Sequence, residues 1–156
     1  MTTITQRTME CSLASLCAYN GLSQADYVAL SDLAFERGAR YVTSDRRILR
    51  KAIALGKELA REFGLAFPKG YEGPTYAGSS RIADLDFSGK GIVRVAILPK
   101  RCRTKWLYHV VAFEDNTFFD TEGAPIKGWS NYAKVLKAKH QHQIVKPVKI
   151  YPSKES

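Results

Sequence analysis

A change of hydrophobic period along the chain constrains its fold more than any other feature. In the first third, apolar residues recur at helical spacing. Leu13, Leu16 and Cys17 share a face and Asn20-Gly21 is a stop, which predicts a helix over about 10–20. Ser23 with Asp26 three residues on has the form of a capping box, opening a second helix to about Arg37, closed by Gly38. Thr43, Ser44 and Asp45 offer a third N-cap. Ile48, Leu49, Ala52, Leu55, Leu59 and Phe63 then trace one stripe to Gly64. From 64 to 91 glycine, proline and serine interrupt any period, leaving room for one helical turn around Ile82–Leu85. A loop of that length is a candidate groove wall, over 64–90. After it the runs become β-rich: Ile92 to Ile97, ending at Pro99; Trp106 to Phe113; Thr117 to Asp120 beyond a turn at Glu114-Asp115-Asn116; and Gln143 to Tyr151. Ser130 is placed to cap a short helix through Leu136. Helices first and strands later predict an α+β fold, with N-terminal helices packed on a C-terminal antiparallel sheet. One domain over 1–151 is expected, with a frayed tail over 152–156.

The 156 residues suit a single domain that builds its own core. No apolar run approaches the roughly 18 residues of a membrane span, and the first residues lack the pattern of a secretory signal. A cytoplasmic location and no membrane association are the expectation. Three cysteines, Cys11, Cys17 and Cys102, are too few and too unevenly spaced for a disulfide framework. Cys17 reads as a small buried hydrophobe and Cys102 as an incidental loop thiol. The formal charge of +9 attracts anionic or acidic partners. Its visible clusters are Lys134 to Lys154 and Lys100 to Lys105. Nucleic acid is a conceivable partner, but no zinc-finger or RRM signature and no interleaved aromatics support it.

The chemistry-bearing residues are Cys11, His109 and Asp120. Cysteine alone among side chains combines thiolate character near neutral pH with strong nucleophilicity. In a helix's first turn it faces free backbone N–H groups, which stabilise a thiolate and an oxyanion alike. His109 opens the apolar run Val110-Val111-Ala112-Phe113, a rigid mount for a general base. A turn at Asp115-Asn116 brings Asp120 back toward His109, where it can orient the ring. Gln6, just before the helix, is a candidate side-chain donor to an oxyanion. Trp106 and Tyr108 are candidates to line a substrate pocket, or else to pack in the core. His140 and His142 share a strand face at metal-ligand spacing, but no local cysteine or carboxylate joins them, so no metal and no cofactor is expected. Asp84 and Asp86 read as surface-loop acids.

The stretch Gln6…Glu10-Cys11-Ser12-Leu13-Ala14-Ser15-Leu16 resembles the opening of papain-like cysteine peptidases of the bacteriocin-processing (C39) type. His109-Val110-Val111…Asp120-x-x-Gly123 resembles their His and Asp strand pair, and Ser130-Asn131-Tyr132 stands where a helix follows the aspartate. Gln6 is one residue closer to the cysteine than in that family, and Thr121 stands in place of proline. The resemblance covers about 6–22 and 106–136. It implies a papain-like fold and thiol hydrolysis of a peptide or amide bond, with Cys11 as nucleophile, His109 as base and acid, Asp120 as orienter and Gln6 as oxyanion donor. A peptide or protein substrate is then expected. Rival expectations are acyl transfer on the same fold, or a non-catalytic basic protein that binds nucleic acid or an acidic partner.

Overall fold

The computed structural model describes residues 1–7, 10–42, 44–73, 85–99, 107–140 and 142–154. Three helices come first: α1 (Cys11–Tyr19), α2 (Gln24–Glu36) and α3 (Arg46–Glu62). The caps are those the sequence offered. Ser23 accepts from the Asp26 amide at 3.1 Å, and Asp45 accepts from Arg47 at 3.0 Å and Ile48 at 3.4 Å. The strands β1 (Lys90–Pro99), β2 (Leu107–Glu114), β3 (Thr117–Phe119) and β4 (Ile126–Lys127) follow, then α4 (Trp129–His140) and β5 (His142–Pro152).

The five strands form one antiparallel sheet in the order β4-β3-β2-β1-β5. Gly91–Leu98 are buried without a break, because β1 is flanked by β2 and β5 and both faces of the sheet are covered. On one face Ile92, Val110, Ala112 and Tyr151 pack with Leu13, Leu16 and Cys17 of α1. On the other Val93, Val95, Val111, Phe113 and Phe118 pack with Tyr132 and Leu136 of α4. A third cluster, Ala34, Ala39, Ala52 and Leu59, joins α2 to α3 outside α1. Gly91 is required where three strands meet: a Cβ there would lie 2.5 Å from the Tyr151 carbonyl and 2.7 Å from Phe113. The β2–β3 turn holds Asp115 at φ 47° and Asn116 at φ 65°, two left-handed residues in succession, as a tight two-residue hairpin needs.

Several boundaries differ from expectation. The last helix begins at Trp129 and runs to His140, so Ser130 lies inside it. The two-residue β4 was not foreseen, being too short to show a period. The chain stays tied beyond 151. Pro152 accepts from the Lys69 amide at 2.7 Å, the Ser153 amide donates to Lys90 at 2.8 Å, and Lys154 pairs with Glu72. The expected groove wall is partly core: Phe67 and Tyr71 are buried, and Tyr71 stacks edge-on against Tyr151 at 5.2 Å. The expected turn at 82–85 falls largely outside the described residues.

Candidate active site

Cys11 is the first residue of α1, and Glu10 is its N-cap. Glu10 does not cap with its side chain. Its buried carboxylate instead accepts from Tyr27 Oη and from Ser31 Oγ, the latter at 2.7 and 2.8 Å. The Glu10 side chain therefore does not compete for the first-turn N–H groups beside Cys11. α1 lies on β2, and Ser15 Oγ donates to the Val110 carbonyl at 2.9 Å. This bond anchors the helix one residue beyond His109. β3 pairs only with Ala112–Glu114, so α1 reaches His109 where β3 no longer flanks the strand.

The thiol of Cys11 stands against the His109 ring and interacts with it both as hydrogen-bond partner and as charge. The Nε2–H of His109 donates to Asp120 Oδ1 at 2.7 Å, which leaves Nδ1 for the sulfur. Asp120 follows β3 directly, and its remaining acceptors are occupied. Thr121 N donates to Oδ1 at 2.7 Å, and Tyr132 Oη donates to Oδ2 at 2.7 Å. The carboxylate is thus fixed from three sides and holds the His109 ring through Nε2.

The electrostatics follow from these contacts. Burial works to raise the Cys11 thiol, but the His109 hydrogen bond, its positive charge and a backbone hydrogen bond from Val110 together hold it below its ordinary value. Burial pulls the His109 imidazole down, yet Asp120 and Cys11 push it up to about 10. Burial likewise opposes the charge of Asp120, while His109, Tyr132 and Thr121 hold it down at about 2. The three shifts are coupled: Asp120 favours a charged His109, and a charged His109 favours ionisation of Cys11. Cys17, in the same helix with no such neighbour, is raised by burial to about 12. Cys11 is half-buried and Cys17 buried, so of these two described thiols Cys11 joins a lowered pKa to access.

Tyr132 is the site residue that the sequence reading left without a role. It is 0% exposed and stacks flat on Phe118 at 5.0 Å. A tyrosine on the buried face of an amphipathic helix looks like ordinary core; only the hairpin register shows that its hydroxyl meets Asp120. Gln6 lies alongside, its backbone N–H donating to Thr121 at 3.1 Å, and its side-chain Oε1 is buried without a partner among the described residues.

The other candidates disperse. Tyr108 is not core: it is 51% exposed, next to His109, with the Arg94 guanidinium 4.1 Å over its ring. Trp106, Cys102 and Asp84 lie outside the described residues. Asp86 accepts from Ser88 in a local turn. His140 ends α4 and His142 opens β5, and among the described residues no group of three or more histidine, cysteine or acidic side chains is arranged to hold a metal. An open depression of about 480 Å³ lined by Leu85, Phe87, Ser88, Asp115 and Asn116 sits at the far end of β2 from His109, apart from this chemistry. No described helix is long and apolar enough to cross a membrane.

No family model, curated protein or solved structure matches the chain.

Proposed function

We propose that the protein is a cysteine hydrolase of peptide or amide bonds, working through Cys11, His109 and Asp120. The observation that carries this reading is the Nε2–Asp120 bond of 2.7 Å on a ring whose other side meets a half-buried thiol at a helix N-terminus. The order of these residues and their resemblance to bacteriocin-processing peptidases on a papain-like scaffold support it.

In this reading the Cys11 thiolate attacks the substrate carbonyl and forms a C–S bond. The oxyanion that develops is met by the uncapped first-turn amides of α1, with the Gln6 amide as second donor. The His109 imidazolium gives its Nδ1 proton to the leaving nitrogen as the C–N bond breaks. A thioester remains. Neutral His109 then takes a proton from water, whose oxygen displaces the thiolate and restores the ion pair. Asp120 holds the ring and supports its charge throughout, and Tyr132 and Thr121 hold Asp120.

A degenerate peptide library resolved by mass spectrometry tests the proposal. Cleavage by the wild type should fall about a thousandfold in Cys11→Ala and in His109→Ala. Undiminished cleavage by Cys11→Ala would overturn it. An added amine that appears in the product would assign acyl transfer instead of hydrolysis.

A further inference from the structure

The first two turns of α3 form a cationic arm that extends past the helix end carrying Cys11. Between Gly38 and Lys57 the sequence carries six cations, Arg40, Arg46, Arg47, Arg50, Lys51 and Lys57, against one acid, Asp45. Arg46, Arg47, Arg50 and Lys51 are all exposed at the N-terminal end of α3, whose first turn holds no acid. Cations there oppose the helix dipole, and Arg46 with Arg50 and Arg47 with Lys51 are like-charge pairs one turn apart. The arrangement works against the helix it sits on.

Its position explains what it can serve. α3 runs in the same sense as α1: Gly56 lies against Leu13, while Ala66, just past the end of α3, bonds Asn20 past the end of α1. The ten residues from Arg46 to Gly56 span about 15 Å of helix, so the start of α3 projects about 12 Å beyond the helix end that carries Cys11. Two further cations are buried, each over a tyrosine ring. Lys57 donates to the Gly73 carbonyl at 2.8 Å and sits 4.3 Å over the Tyr71 ring, and Tyr71 Oη donates to Ser12 at 3.1 Å. Arg94 sits over Tyr108, next to His109. Among the described residues neither pairs with a carboxylate.

We infer that α3 recognises an acidic stretch of the substrate, flanking the bond presented to Cys11. This rests on the proposed hydrolase reading, because the scissile amide makes the anionic partner a polypeptide. Complementary charge would act chiefly on the rate of capture, and salt would weaken it.

The test compares two chloroacetyl peptides of equal length, one carrying four glutamates and one four lysines, as alkylators of Cys11. Label is located by peptide mapping. At about 50 mM salt the glutamate peptide should react about tenfold faster, and at about 300 mM the advantage should shrink to about twofold. Arg46→Glu/Arg47→Glu/Arg50→Glu/Lys51→Glu should abolish the preference, while Lys134→Glu/Lys137→Glu on α4 keeps it. Circular dichroism checks that the first variant folds, and the corresponding glutamine set serves if it does not. Equal rates for the two peptides, or a preference that survives in the arm variant, would overturn the inference. Iodoacetamide, which is uncharged, separates the two readings: normal reactivity of Cys11 without a peptide preference sinks the acidic substrate alone. If iodoacetamide fails to label Cys11, the hydrolase reading falls. Anisotropy of a fluorescein-labelled hexaglutamate then still reads the arm, and tighter binding of a hexathymidylate would assign the arm to nucleic acid and overturn the peptide.

Discussion

At the scale of single residues, the site depends on keeping one carboxylate ionised while it is buried. Asp120 is 9% exposed, and its charge is held by His109, Tyr132 and Thr121. Its folded pKa of about 2 lies below the ordinary 3.8, so it stabilises the fold above the unfolded value and loses that contribution as pH falls toward 2. Tyr132→Phe removes the donor to Oδ2. The variant should lose about 2 kcal/mol of unfolding free energy at pH 7, and clearly less near pH 2, where the wild-type carboxyl is already about half protonated. Urea titrations at the two pH values measure this; an equal loss at both would mean that Tyr132 matters only by packing. Cys11, His109 and Asp120 could be singled out as a set because a thiol, an imidazole and a carboxylate each carry distinctive chemistry, and the fold brings the three together. Tyr132 was not legible as a site residue, since its ring is core and its hydroxyl acquires a partner only through tertiary register. Tyr108 was ambiguous in the sequence for the opposite reason: an aromatic in a β-rich run can face either way, and this one faces out.

At the scale of elements, local chemistry wrote most of the helices. Ser23 and Asp45 cap as their side chains dictate, and Asp115-Asn116 closes the hairpin that returns Asp120 to His109. β4 and the true start of α4 were hidden, because two residues show no period and Trp129 precedes the residue that looked like a cap. The charge on α3 was also passed over in the sequence, where the lysines near the C-terminus dominate the count. Only the alignment of α3 with α1 turns a basic helix start into a basic flank of the site. Its cations oppose the dipole, so Arg47→Glu should stabilise the fold by about 0.5 kcal/mol at low salt, with a gain that fades as salt rises. Thermal unfolding of the single variant checks it. A loss of stability would show that Arg47 makes a contact that outweighs its unfavourable place on the helix.

At the scale of the whole molecule, the central claim is that folding brings a thiol from the first helix against a histidine nearly a hundred residues later and makes one ion pair of them. The order of helices and strands was readable from the change of period; that α1 crosses β2 with its N-terminus at His109 was not, because strand order and packing are non-local. Neither half creates a reactive thiol alone. Burial by itself would raise Cys11, as it raises Cys17, and the imidazolium reverses the sign. The direct measurement is the rate of Cys11 alkylation by iodoacetamide against pH, in wild type, in His109→Ala and in wild type unfolded by urea, with Cys102→Ser as background. The expected result is a folded wild-type midpoint below the ordinary 9.0, moved up in His109→Ala and returned to the ordinary value in urea. A folded wild-type midpoint at or above 9.0, unmoved by His109→Ala, would contradict it.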